Sequence, residues 1–217
     1  AMLDPVGDAQ YMAVALALSE RGRGRTGANP NVGCVIVKQG VIIGRGWTQP
    51  GGRPHAEEMA LAQAGASAKG ADIYVTMEPC AHESSRGPTC SNSIIDAKPK
   101  RVIVATLDAD ERTRRRGIDR LGDAGIPVSV GIREPKARRA MAGFLCRLEN
   151  ARPFVTLKLA MSLDGCIAMA DGSSQWITGD RARAHAHLER ARSDAILVGA
   201  GTARIDKPGL DVRLDGL

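Results

Sequence analysis

"ADIYVTMEPCAHESSRGPTCSNSIIDAKPKRVIVATLD", residues 71–108, decides the fold. It opens on a β-branched and aromatic run at 71–77 and passes through a loop holding two cysteines. A short helical stretch near 89–98 and a second β-rich run at 101–108 follow. Strand, helix, strand is the repeating unit of an α/β domain. Downstream the alternation continues with a helix at 113–125 closing on glycine, a strand at 126–132 and one long helix at 134–150. Upstream, a helix at 8–21 leads to "VGCVIV" (32–37) and "VIIGRGW" (41–47), joined by Lys38-Gln39-Gly40 as a hairpin. A helix over 55–66 then starts after Pro54. The pattern predicts a largely parallel sheet with a hairpin at its first edge.

A second pattern begins at Ala151-Arg152-Pro153. "PFVTLKLAMSLDG" (153–165) reads as a long strand, 179–193 as a polar helix and 194–202 as a strand running into glycines. The domain boundary falls near 147–153, and 65 residues from Pro153 onward are thin for an independent core.

Composition narrows the class of function. At 43% apolar and 25% charged residues, the chain is ordinary for a globular protein. No apolar run approaches the length of a membrane span, and the start lacks the pattern of a secretion signal. Five cysteines at irregular spacing argue against a disulfide framework and for a cytoplasmic protein with reduced thiols. The net charge of +6 draws on Arg21, Arg23 and Arg25 and on Arg112, Arg114, Arg115 and Arg116. Such clusters attract phosphate, on a polymer or on a metabolite. With two Phe, two Trp and two Tyr, the stacking platforms of a single-strand binder are scarce. The second arginine cluster reads as a solvated helix face.

The cysteine loop has chemical company. His55 and Glu57 stand as H-A-E at a helix start, Pro79-Cys80 follows the next strand, and Cys90 lies beyond. One imidazole and two thiolates supply three zinc ligands and leave a fourth position for water. A carboxylate two residues from the ligand histidine can move protons without binding the metal, a pattern already described for zinc deaminases as H-x-E…P-C-x-x-C. In mid-helix, positions two apart face nearly opposite ways, so His55 must sit at the helix start to share a site with Glu57. The cysteine gap is nine residues here, which brings His82 and Arg86 to the rim as donors for phosphate or a polar ring. Two alternatives stay open: buried thiols with no metal, or a structural zinc site with a fourth ligand such as His82.

With "ANPNVGCVIVKQG" (28–40), "PHAE", "YVTMEPCAH…GPTC", "KLAMSLDGCIAMADGSSQWITG" and "ARSDAILVGAGTARIDKPGL", the chain resembles the bifunctional riboflavin-biosynthesis deaminase/reductase family of bacteria through almost its whole length. The resemblance implies a cytidine-deaminase-like α/β/α sandwich, placed at 1–147. The beginning of a dihydrofolate-reductase-like α/β domain follows at 153–217. It implies zinc-dependent deamination of 2,5-diamino-6-ribosylamino-4(3H)-pyrimidinone 5′-phosphate, followed by NADPH-dependent reduction of the ribosyl side chain. His55, Cys80 and Cys90 then resemble the zinc ligands, Glu57 the proton shuttle, and Asn29, His82 and Arg86 the contacts to the pyrimidine substrate. In the second half, Ala160, Trp176, Thr202 and Asp206 resemble the NADP contacts. Lys158, Ser174, Arg190, Leu210 and Arg213 resemble contacts to the phosphorylated pentose. Trp176 reads equally well as core, and "VGAGT" lacks a full dinucleotide fingerprint. The later strands and glycine-rich cofactor segment of the reductase do not occur in the chain. It is therefore read as C-terminally truncated, with deaminase but not reductase activity expected. The rivals are a zinc deaminase of a base in tRNA or DNA and a non-catalytic zinc-stabilised scaffold. A homo-oligomer is left open, and no membrane partner is expected.

Overall fold

A computed structural model describes residues 5–82, 87–111 and 113–216. The chain divides after Phe154 into two units. The first holds a five-stranded sheet in the order β2-β1-β3-β4-β5, from β1 (Gly33–Lys38), β2 (Val41–Trp47), β3 (Asp72–Val75), β4 (Arg101–Val104) and β5 (Val128–Val130). Its helices are α1 (Pro5–Ser19), α2 (Ala56–Ala64), α3 (Cys90–Ala97), α4 (Arg116–Asp123), α5 (Glu134–Ala140) and α6 (Ala142–Asn150).

The sheet is less parallel than the alternation predicts. β3 pairs with β4 and β4 with β5 in parallel, but β1 is antiparallel to both of its neighbours. β2 and β3 run the same way, joined by the α2 crossover, and β1 is inserted between them. The β1–β2 turn has positive φ at both Gln39 (51°) and Gly40 (78°), the backbone of the tight hairpin turns that match strand twist. The segment 134–150 also departs from its reading as one helix. It breaks at Met141 (φ −108°, ψ 21°), whose buried side chain packs in the core.

Helices α2, α3 and α4 cover one face of the sheet and α1 and α5 the other. β1, β3 and β4 are buried on both sides, which explains their continuous apolar runs. Arg101 joins the layers. Its guanidinium donates to both oxygens of buried Asp8 on α1 (2.8 Å each) and to Asp72 on β3 (2.8 Å).

Small residues set the depth of α2. Ala56, Ala60 and Ala64 repeat every fourth position, one helix face, and meet Gly44 and Gly46 of β2. A Cβ at Gly46 would stand 2.8 Å from both the Ala60 amide nitrogen and the Met59 Cβ. Since the first turn of α2 carries His55 and Glu57, Gly46→Ala is expected to lower stability by about 2–3 kcal/mol by overpacking. Zinc affinity should fall with it. Chemical denaturation and zinc titration of the variant check both, and unchanged values would show that α2 yields without cost.

The second unit contains α7 (Asp180–Ala191) and α8 (Ala200–Ile205). The strands expected at 153–165 and 194–202 do not form among the described residues, and part of the second lies in α8. Their apolar side chains are open to solvent, Leu157 at 78% and Leu197 at 98%. A strand needs a hydrogen-bonding neighbour and a covered face, and these segments have neither here.

Candidate active site

Three elements of the first unit converge on one point. His55 is the residue before α2, with extended backbone (φ −72°, ψ 164°), so its ring lies beside the first helical turn. The Glu58 carboxylate accepts the His55 backbone N–H and pairs with Arg53 (3.0 Å), fixing the helix start. Cys80 follows β3. Cys90 opens α3, where the hydroxyl of Thr89 accepts the N–H of Asn92 (3.3 Å) as a helix cap. The Cys90 N–H donates to Cys80 Sγ (3.3 Å), placing that sulfur at the helix N-terminus.

The ligand atoms of His55, Cys80 and Cys90 lie within 4.8 Å of one another. His55 Nδ1 stands 3.2 Å from Cys90 Sγ and 3.6 Å from Cys80 Sγ. Tetrahedral zinc, with bonds of about 2.3 Å to sulfur and 2.0 Å to nitrogen, sets such donors about 3.5 Å apart. The donor set therefore fits zinc in both type and spacing. Hydrogen bonding from the Cys90 thiol, helped by that from His55, brings the Cys80 thiol down to about 4 against its burial. Cys90, hydrogen-bonded to Cys80 and buried, is pushed up. Burial works to lower the His55 pKa, but the hydrogen bond to Cys80 and the charge of Glu57 outweigh it and raise it.

Glu57 is 4% exposed and faces this cluster. Burial raises its carboxyl to about 7, opposed in part by His55. The buried thiol of Cys34 on β1 is pushed up by burial and then by the charge of Glu57.

A cavity of about 570 Å³ opens over these groups. Asn29, His55, Glu57, Cys80 and His82 all line it. Asn29 Nδ2 donates to the Thr26 carbonyl (3.1 Å), and Gly52 (φ +92°) packs so tightly on its amide that no side chain fits there. His82 is exposed at the cavity and does not join the ligand cluster. Arg86 lies outside the described residues, as does Arg112 of the second arginine cluster. Arg116 of that cluster is exposed and lines the cavity, a role that the charge pattern alone leaves open. Sequence reasoning also missed Arg53, Asp108, Asp110, Thr113 and Arg147, which line the same space. Arg147 comes from α6, packs over the Phe144 ring (5.7 Å) and donates to the Ala28 carbonyl (3.0 Å). No local spacing links it to the cysteines.

The residues assigned to NADP and pentose all belong to the second unit. Lys158, Ala160, Ser174 and Trp176 fall on irregular chain of the second unit, Arg190 on α7, Thr202 on α8 and Asp206 just after it. Leu210 and Arg213 lie on irregular chain after α8, where the Asp211 carbonyl accepts from Arg190 Nη1 (3.1 Å). Trp176 is 70% exposed, so the core alternative for it does not hold; its ring lies under the Arg183 guanidinium (4.6 Å).

Comparison with known proteins follows the same division. Residues 6–106 match the cytidine and deoxycytidylate deaminase zinc-binding region, and residues 153–217 match the RibD C-terminal domain. The riboflavin biosynthesis protein RibD of Escherichia coli (strain K12) is 49% identical over 206 residues, 95% of this chain and 56% of that protein. Its counterpart in Aquifex aeolicus (strain VF5) is 47% identical over 95% of this chain and 58% of that protein. The chain belongs to the RibD family. It spans a little over half the length of these RibD relatives. Among solved structures, Acinetobacter baumannii RibD (form 1) superposes with a TM-score of 0.86 at 43% identity, over 99% of this chain and 60% of that one. A Thermotoga maritima diaminohydroxyphosphoribosylaminopyrimidine deaminase/5-amino-6-(5-phosphoribosylamino)uracil reductase gives 0.89 at 37% identity, over 99% and 61%. The fold is the mixed α/β sandwich of the RibD deaminase half, followed by the start of a reductase-type domain.

Proposed function

We propose that this chain is a zinc-dependent aminohydrolase of riboflavin biosynthesis. It replaces the ring amino group of 2,5-diamino-6-ribosylamino-4(3H)-pyrimidinone 5′-phosphate by an oxo group, with residues 1–147 as its deaminase domain. The observation that carries this is a buried carboxyl, Glu57, facing a His-Cys-Cys cluster on the wall of one cavity.

His55, Cys80 and Cys90 would hold the zinc. Zinc in such a set acts as a Lewis acid and makes water acidic enough to react near neutral pH. Glu57 Oε would take one proton from the attacking water and pass it to the ring nitrogen beside the reacting carbon as the C–O bond forms, then take the second from the new hydroxyl and pass it to the departing amine as the C–N bond breaks. The balance is one water consumed and one ammonia released. A carboxyl near 7 suits both directions of transfer. Asn29 is placed to orient the ring, with its amide held by Thr26 and Gly52. His82, with Arg86 and Arg116, supplies donors for the phosphorylated end. Five cysteines at irregular spacing support a cytoplasmic enzyme with reduced thiols. Among the described residues no helix is long and apolar enough to cross a membrane.

Residues 153–217 are assigned to the start of an NADPH-dependent reductase domain. Its segments form no strand among the described residues, and Trp176 and Leu157 are exposed, so this chain is expected not to reduce the ribosyl group. A mass-spectrometric assay of the zinc-loaded chain on the phosphorylated diaminopyrimidine, with and without NADPH, tests both statements. Deaminated and unreduced product is expected. A reduced product would show the second unit to be competent, and no product with zinc bound would overturn the substrate assignment. Among the described residues, Phe144 is the one Phe, Tyr or Trp lining the cavity, which disfavours base stacking on a polynucleotide.

A further inference from the structure

One wall of the cavity is built from a connection and the start of a helix. Asp108, Asp110 and Thr113 lie on the connection between β4 and α4, and Arg116 is the first residue of α4. Their backbone is held by one side chain, which borders the same cavity. Glu78, 7% exposed, accepts the N–H groups of Asp108 (3.1 Å) and Arg115 (3.0 Å) on Oε2, and those of Gly117 (3.0 Å) and Ile118 (3.4 Å) on Oε1. A carboxylate at this point satisfies the orphan donors of the helix start and complements its dipole. The contact is close on both sides of the chain. A Cβ at Gly117 would overlap the Pro79 carbonyl and stand 3.3 Å from Glu78 Cγ. Asp108 extends the hold outward, accepting from the Asp110 N–H (3.0 Å) and the Thr113 hydroxyl (2.8 Å).

We propose that Glu78 is a positioning residue for substrate recognition: it anchors Asp108 and residues 113–118 as the cavity wall against which the phosphorylated pyrimidine docks. The proposal rests on the substrate reading above. Glu78 and Pro79 directly precede Cys80, so the wall and a metal ligand share one tripeptide. The buried carboxylate is explained by its amide donors, which belong to the wall and not to the ligand cluster. Its loss therefore acts on substrate binding before it acts on zinc.

Glu78→Gln and Glu78→Ala in the full chain test this. Gln keeps one acceptor oxygen and turns the other into an amide N–H that faces donors, so its effect should be intermediate. For Ala, amide exchange at Asp108, Arg115, Gly117 and Ile118 is expected to quicken by about 10-fold or more, the effect of losing hydrogen bonds to a charged acceptor. KM should rise by at least about 10-fold while kcat stays within about 3-fold, the signature of lost uniform binding. Zinc-to-protein ratio should be unchanged. If Glu78→Ala fails to fold, Glu78→Gln carries the same readouts. Zinc loss with normal KM, or unaltered exchange at the four amides, would overturn the proposal. Failure of the parent chain on this substrate would sink the substrate reading instead, while the exchange measurement would still judge the anchor.

Discussion

Glu57→Gln is expected to abolish turnover, by about 10³-fold or more, with zinc retained at the parent ratio. Proton transfer by a positioned side chain contributes roughly 10²–10⁴-fold, and a glutamine amide transfers no proton at this pH. Zinc should stay because the ligand cluster is His55, Cys80 and Cys90, and Glu57 is outside it. The same substitution should stabilise the metal-free protein at alkaline pH. Burial first of all raises the Glu57 carboxyl from its ordinary 4.5 to about 7. A carboxyl whose folded value lies above its unfolded value favours the folded state at low pH, and that contribution is lost as pH rises from about 4.5 through 7. The full difference is of order 3 kcal/mol. Urea unfolding of the two metal-free proteins at pH 4.5 and pH 8 measures it. The variant should gain on the parent at pH 8 only. Equal stabilities at both pH values would mean that the carboxyl is solvated, and a proton shuttle poised near neutrality would lose its physical basis.

Removing the metal is the second large effect. Chelation is expected to abolish deamination and to lower the melting temperature, because the ligand cluster ties α2, the loop after β3 and α3 into one corner. At free zinc about a thousandfold above its dissociation constant, the linkage is worth ~4 kcal/mol. For a unit of this size that corresponds to a fall of roughly 10 °C. Cys90→Ala should reproduce both losses and should not be rescued by added zinc, since two ligands remain where three are needed. The Cys146→Ala variant is the control, its thiol lying in α6 away from the cluster. Thermal melts with and without chelator decide the matter. An unshifted melt accompanied by lost activity would mean that the metal is held by a site already rigid without it.

Much of this was written locally in the chain. The H-A-E and P-C residues lie within short segments, and their chemistry depends on residue type and on which element each one starts or follows. Pro54 before His55 marks the helix start, so the placement of the imidazole beside the first turn of α2 could be read from three residues. The hairpin, the two strands flanking the cysteine loop and α2, α3 and α4 each carry their own period or turn signal. What local pattern could not decide is pairing. The antiparallel insertion of β1 between β2 and β3 depends on which strands neighbour one another, and alternation of strand and helix is silent on that. The break at Met141 is set by the core into which that side chain packs, not by a Gly or Pro in the segment.

The cavity wall belongs wholly to tertiary structure. Arg147 reaches the cavity from α6, and Arg116 from a run of arginines that looks like solvated surface, because a charge pattern does not state which side of a helix faces a cavity. Glu78 sits in plain view beside Cys80, yet its four amide partners lie 30 to 40 residues away. The second unit makes the same point in reverse. Its apolar runs have strand character, but strand formation requires a hydrogen-bonding neighbour, and among the described residues none is supplied. Donor types, their order and the helix starts are legible along the chain, because those follow from covalent spacing and backbone preference. Only the folded chain decided the pairing of strands, the members of the cavity wall and the burial that brings Glu57 to about 7, because each depends on contacts between segments distant along the chain.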